Sequence, residues 1–161
     1  MRKARTASLR RRLTRQVKQL DAMGIVIVSN NCVPGILYEW AELPKQSPTA
    51  GLYFSGNAYG RFLNDLASGR LNRWLEFDEA SLVYNDDQSC WSYPVAGGGQ
   101  LVFLHYTSCE EAISKWRRRI ERLDGRTLLI VSSIQGGITL KSLREPLAKL
   151  PLSFTVDGNP S

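Results

Sequence analysis

Residue types able to do chemistry stand at the ends of two short apolar runs. Ile25–Val28 stops at Ser29-Asn30-Asn31-Cys32, and Leu101–Leu104 stops at His105-Tyr106, which holds the only histidine of the chain. A thiol that leaves a strand and enters a helix lies beside backbone N–H groups, which suits a thiolate nucleophile. A neighbouring imidazole can accept its proton. Asn30 or Asn31 would then donate hydrogen bonds to a developing oxyanion. Cys32 and His105 are thus candidate catalytic residues for acyl transfer. Against this stands a plainer reading, in which Cys32 is a small core residue and His105 bonds a backbone carbonyl.

Such a pair works only if the elements before it end at a common rim. Apolar runs of this length and β-branched content read as buried strands, and in open α/β sheets the pocket lies beyond the carboxyl ends of the strands. A polar turn from Asn30 to Gly35 leads into a helical stretch from Ile36 to Leu43, closed by Pro44. A second apolar segment, Ala50 to Phe54, is followed by a helical pattern of Tyr59, Phe62, Leu63 and Leu66 that Ser68-Gly69 should end. Residues 70–100 mix both periods at Trp74, Leu75, Phe77, Leu82, Val83 and Tyr84. Gly97-Gly98-Gly99 lacks the context of a phosphate loop and reads as the turn of a hairpin between Trp91–Val95 and Leu101–His105.

The next helix carries a capping box, Ser108 with Glu111 three residues on. Ala112, Ile113, Trp116, Ile120 and Leu123 then form one apolar face, and Glu111 with Lys115 makes an i,i+4 pair. Arg117, Arg118, Arg119 and Arg122 suit the carboxyl end of the helix dipole, and Gly125 terminates it. Trp116 projects on the apolar face and the arginines read as solvated surface, so nucleic acid is not an expected partner. Arg126–Ser132 reads as a strand, Leu140–Leu150 as a helix interrupted at Pro146, and Leu152–Val156 as a last strand. The sum is an α/β fold, expected as a three-layer sandwich around a mixed, largely parallel sheet.

At 161 residues, with 43% hydrophobic and 22% charged, the chain has the size and composition of one globular domain. No apolar stretch approaches the roughly 20 residues of a membrane span, and no hydrophobic signal segment follows the basic start, so a cytoplasmic location is expected. Cys32, Cys90 and Cys109 are odd in number and lack CxxC spacing, which argues for reduced thiols and against a structural zinc site. No metal site is expected, and the sequence names no cofactor. Asp86-Asp87, adjacent on the chain, reads as a solvated turn. The hydroxyls of Ser47-Pro48-Thr49 read as turn chemistry or as a cap to the site.

The net charge of +6 is concentrated at the start. Arg2, Lys3, Arg5, Arg10, Arg11, Arg12, Arg15 and Lys18 all precede the first acid, Asp21, so the remainder is slightly acidic. Leu9, Leu13, Val17 and Leu20 recur at helical spacing among them, which predicts a basic amphipathic helix as an arm over residues 1–23, ahead of a single α/β domain over 24–161. Residues 2–18 would suit an anionic membrane surface. Alternatively the apolar stripe packs on the domain and the arginines are its solvated face.

Ile27-Val28-Ser29-Asn30-Asn31-Cys32 with Gly35 and Tyr38, Ser47-Pro48-Thr49-Ala50-Gly51-Leu52, and Tyr59 with Phe62-Leu63 together resemble the opening half of a bacterial family, domain of unknown function 1919. Tyr93-Pro94-Val95, Phe103-Leu104-His105-Tyr106, Glu110-Glu111-Ala112, Lys115-Trp116, Arg118-Arg119, and Leu150-Pro151 with Phe154-Thr155 continue the resemblance in order, from about Ile25 to Thr155. The resemblance implies an α/β fold and a part in exopolysaccharide or capsule biosynthesis, and it implies no particular reaction. Two departures stand out. Ala96-Gly97-Gly98-Gly99-Gln100 and Ser133-Ile134-Gln135-Gly136-Gly137 occupy positions where the family pattern carries bulky or acidic residues. If an acid in the second turn binds a metal or acts as a base in relatives, this chain lacks it.

With that pathway, the expected substrate is a sugar or sugar nucleotide and the expected chemistry is acyl transfer onto a sugar hydroxyl or transfer of the sugar itself. For the latter, Asn30, Asn31, His105 and Arg61 are candidate contacts to a phosphate, and Tyr106 or Tyr59 a platform for the sugar ring. The expectation from another class is a non-enzymatic partner protein that docks on the inner membrane through its basic helix.

Overall fold

A computed structural model describes residues 2–76, 78–134, 137–150 and 153–156. It begins with helix α1 (Arg2–Ala22), which Met23-Gly24 ends through bonds from Met23 N and Gly24 N to carbonyls of the last turn. Gly24 holds φ +72, a left-handed stop that glycine adopts without strain. Strand β1 (Ile25–Ser29) follows, then α2 (Val33–Trp40), β2 (Leu52–Ser55) and α3 (Ala58–Ala67). Helix α2 begins three residues earlier than the apolar periodicity suggests, because Pro34 fits the first turn, where no intrahelical N–H is needed.

Single 3-10 turns at Leu71–Trp74 and Glu79–Ser81 lead into β3 (Val83–Asn85), β4 (Cys90–Pro94) and β5 (Gln100–Phe103). Helix α4 (Cys109–Glu121), β6 (Thr127–Ser133), α5 (Leu140–Ala148) and β7 (Ser153–Val156) complete the order. Gln135-Gly136, expected as part of a turn, and Leu152, at the expected start of the last strand, lie outside the described residues.

The strands do not form the one mixed, largely parallel sheet expected from the sequence. Three of them make a parallel sheet in the order β1-β6-β7, and four make an antiparallel sheet in the order β2-β5-β4-β3. The hairpin turn through Gly97, Gly98 and Gly99, all at positive φ, pairs β4 with β5, and β2 then adds to β5 in antiparallel register, Leu52 opposite Phe103. Local pattern marks where strands are; which distant partner each takes is decided by packing. A backbone bond from Phe54 N to Asn30 O, 3.0 Å, ties β2 to the end of β1.

Strand β1 is buried on both sides, which is why it reads as a continuous apolar run rather than an alternation. Val26 and Val28 join the main core with Leu128, Ile130, Phe54, Phe62, Trp74, Phe103 and Trp116, whereas Ile27 packs with Val17 of α1 and Tyr38 and Ala41 of α2. The apolar stripe of α1 thus packs at Val17 and partly at Leu20, while Leu9 is 56% exposed. In the main core the rings of Phe54, Phe62, Trp74 and Trp116 contact one another at centroid separations of 5.2 to 6.4 Å. Burying each such side chain contributes about 1.5–3 kcal/mol. Among the described residues, no helix is long and apolar enough to cross a membrane.

Candidate functional site

The end of β1 is built as a polar clamp. Asn30 is almost fully buried; its Oδ1 accepts from Ser133 N at 2.9 Å and Ser133 Oγ at 3.2 Å, and its Nδ2 donates to Ser133 O at 2.7 Å. This locks the ends of the parallel neighbours β1 and β6. Asn31 Nδ2 adds a bond to Ser133 Oγ at 3.1 Å, and its Oδ1 accepts from Ser29 Oγ and from Val33 N, the first helical amide of α2. Ser29 N donates to Thr49 Oγ1, which shares a 2.9 Å bond with Ser47 Oγ. The Ser47-Pro48-Thr49 hydroxyls are therefore buried braces between loop and strand. Both asparagine side chains have protein partners, and neither lines the cleft described next.

Cys32 occupies the N-cap position of α2 without a side-chain capping bond, and is half-buried. It lines a cleft of about 290 Å³ together with His105, Tyr106, Gly35, Ile36, Glu39, Lys45, Ala50, Gly51, Lys115 and Arg119. The two residues that spacing alone could not bring together therefore share one solvent-reachable cleft. Among the described residues, no side-chain hydrogen bond joins or engages the Cys32 thiol and the exposed His105 ring. Gly35 and Gly51 let α2 approach the start of β2. A Cβ on Gly35 would stand 3.2 Å from Gly51 N, and Gly51, at φ +84, lies against the Tyr106 ring.

Tyr106 and Arg119 form the inner part of the lining. The Tyr106 hydroxyl donates to Ala50 O at 2.7 Å and accepts from Arg119 Nη1 at 3.0 Å, and Nη1 also donates to Ala50 O at 2.9 Å. Burial pushes the Tyr106 hydroxyl above its ordinary pKa, against the opposing pull of the Arg119 charge. Lys115 Nζ lies 5.7 Å from the centroid of the Tyr106 ring and is ion-paired with Glu111. Glu111 is held down to about 2 by its bonds from Lys115 and from Thr107. Lys45 pairs with Glu39 at 3.6 Å. Arg119 is 5% exposed, and among the described residues it has no carboxylate partner and its Nε no acceptor.

Two further sequence candidates lie elsewhere. Tyr59 is sealed in the core against Phe54 and Phe62, its hydroxyl within 3.5 Å of Ser132 Oγ, and burial raises its pKa. Arg61 lines a separate small hollow with Asn64, Asp65, Arg70 and Arg73, and its guanidinium lies across Gly97.

The sequence reading missed Glu39, Lys45, Lys115 and Arg119 as lining. For Arg119 it was also wrong about burial, having grouped it with solvated Arg118. The corrective signal is positional: Arg119 lies three residues after Trp116 and seven after Ala112, which places it on the apolar face of α4. Among the described residues, no cluster of three or more His, Cys, Asp or Glu side chains is placed to hold a metal ion.

Comparison with known proteins bears on the whole chain. It is 30% identical over 139 residues to an uncharacterised protein of Haemophilus influenzae. The alignment covers 85% of this chain and 59% of that relative, so the chain spans little more than half of the relative's length. A family match covers residues 2–156, taking in α1 as well as the strands and helices that frame the cleft. The chain belongs to the family described as domain of unknown function (DUF1919).

Proposed function

We propose that this protein is a component of bacterial exopolysaccharide or capsule biosynthesis, working in the cytoplasm as a transferase on a sugar or sugar nucleotide, with Cys32 and His105 at its reaction centre. The observation that carries the reading is the shared cleft, in which a half-buried thiol and an exposed imidazole face the same solvent-filled space as Tyr106 and three cationic side chains. Catalysis in such a place needs a proton acceptor within reach of a bound hydroxyl, and the His105 imidazole on the cleft lining is the group for that role.

In transfer of a sugar from a nucleotide donor, the bond between anomeric carbon and diphosphate oxygen breaks. The acceptor hydroxyl oxygen bonds that carbon, His105 takes the hydroxyl proton and the nucleoside diphosphate leaves. In acyl transfer, Cys32 Sγ first bonds the acyl carbon of an activated ester, and the leaving group departs with the thiol proton passed on by His105. The sugar hydroxyl then takes the acyl group, its proton returning through His105 to Sγ. The test is polysaccharide output in cells carrying His105→Ala or Cys32→Ser at unchanged protein level. Loss in His105→Ala alone supports sugar transfer, loss in both supports acyl transfer, and unchanged output in both overturns the enzyme reading.

A second reading also has an observation behind it. Arg10, Arg11, Arg15 and Lys18 line an open groove along α1. Under this reading the chain is a non-enzymatic partner that docks on the inner membrane, each basic residue near an anionic surface contributing about 1 kcal/mol. Replacing Arg10, Arg11, Arg12 and Arg15 with Gln should release it from anionic vesicles, and unchanged co-sedimentation removes the reading.

A further inference from the structure

Arg119 poses a problem that the fold itself does not solve. A guanidinium this deeply buried normally has a carboxylate partner, because removing a charge from water without compensation is strongly unfavourable. Here, among the described residues, its neutral acceptors, Ala50 O and the Tyr106 hydroxyl, engage Nη1, and the buried Nε has none. The side chain is fixed through Nη1 and lines the wall of an open cleft, its charge without a carboxylate partner among the described residues.

The surroundings say what that charge would meet. Lys115, one turn before Arg119 on α4, and Lys45, from the loop before β2, line the same cleft, and Glu39 is the carboxylate among the lining residues. Lys115 and Lys45 are already ion-paired with Glu111 and Glu39, so of the three cations on the lining Arg119 is the one with no carboxylate partner among the described residues. Donors reach the cleft from three separate chain positions. A phosphoryl group, with three terminal oxygens and up to two negative charges, can accept from all three at once, whereas a planar carboxylate suits a single bidentate arginine.

Resting on the reading of this cleft as the substrate site, we infer that Arg119 anchors a phosphoryl group of the substrate, with Lys115 and Lys45 as flanking contacts. The buried charge is then matched only when substrate is bound. The exposed imidazole of His105 and the thiol of Cys32 share the cleft with that anchor, so a phosphate-bearing sugar would be held by its anionic end.

Isothermal titration of the full chain with inorganic pyrophosphate tests this, with acetate at equal ionic strength as the carboxylate control. Binding of pyrophosphate and not acetate is expected. Arg119→Gln should weaken it about tenfold or more, as loss of a charged hydrogen bond implies, and Lys115→Met should weaken it too. Arg61→Gln, outside the cleft, should leave it unchanged. Should Arg119→Gln fail to fold by circular dichroism, Lys115→Met and Lys45→Met decide the matter. No pyrophosphate binding by the unaltered chain, equal binding of acetate, or binding that survives the cleft substitutions overturns the inference. Parallel titrations with uridine diphosphate and glucose 1-phosphate identify the carrier of the phosphoryl group by the tighter binder. Failure of the anchor and failure of the transferase reading are read from different experiments, one from binding and one from polysaccharide output.

Discussion

Trp116 and Arg119 stand three residues apart on α4, both nearly sealed from solvent, yet their surroundings are finished differently. Trp116 is packed among Phe54, Phe62, Trp74 and Phe103, and its one polar atom, Nε1, donates to Trp74 O. Arg119 has a carbonyl and a hydroxyl for one nitrogen, no acceptor for Nε and no counter-charge among the described residues. The core side of the helix is complete within the chain, as buried polar groups almost always are. The cleft side is left open, and an incomplete buried site is what a ligand completes.

The comparison breaks most visibly on the core side. Trp116→Ala should destabilise the chain by about 3–5 kcal/mol, the range for deleting a large aromatic side chain from a packed interior. Chemical unfolding monitored by circular dichroism measures it. A loss below about 1 kcal/mol would mean that the aromatic cluster is not the centre of the core.

The clamp at the cleft's edge ranks next. Asn30→Ala removes partners from Ser133 N and Ser133 O, which lie where β1 and β6 end side by side. Leaving such groups unsatisfied costs about 1–3 kcal/mol. If Asn30 served substrate rather than structure, Asn30→Ala would fold as stably as the unaltered chain, and the melting temperature decides between the two.

These two sites also show what the chain's own pattern discloses. Trp116, Ile120 and Ala112 declare a buried helix face by their spacing, and β1 declares itself by an unbroken β-branched run. Both depend on neighbours a few residues away. The pairing of β2 with β5 was not disclosed, because register between distant strands depends on which surfaces meet, so one mixed sheet was expected where two sheets form. In the cleft, Cys32 and His105 were readable as strand-end residues and do line a common space. Asn30 and Asn31 looked equally available, but polar side chains near a strand end serve the backbone or a ligand alike, and only the position of Ser133 tells which. Arg119 was hidden by its neighbours Arg117 and Arg118, since a run of like charges reads as solvated surface unless each residue is projected separately.

A smaller effect is expected at the start of α4. Ser108 Oγ accepts from Glu111 N at 3.2 Å, while Glu111 Oε2 accepts from Thr107 N and Oγ1 rather than from the Ser108 amide. Ser108→Ala should cost about 1 kcal/mol, as loss of an N-cap acceptor does. The Glu111 carboxyl adds a pH signature. Its folded pKa, about 2, lies below its ordinary value, so its stabilising contribution is present above the ordinary carboxylate range and fades as pH falls towards 2. Glu111→Gln should flatten that part of the acid unfolding profile. An unchanged acid limb would show that the bonds to Thr107 and Lys115 do not persist in solution.

The smallest expected change in stability comes from the substitution with the largest expected change in binding. Arg119→Met removes a buried charge and keeps an unbranched apolar chain of similar reach. Ala50 O loses the Nη1 bond but retains its bond from the Tyr106 hydroxyl, so no carbonyl is orphaned. Replacing a buried, unpaired ion by a packed hydrophobic side chain is generally neutral or stabilising. The melting temperature of Arg119→Met should therefore equal or exceed that of the unaltered chain while pyrophosphate binding falls, the trade of stability for function expected of a ligand anchor. A loss of several kcal/mol, comparable to that of Trp116→Ala, would instead place Arg119 with Trp116 as part of the core. The two faces of α4 would then be finished in the same way.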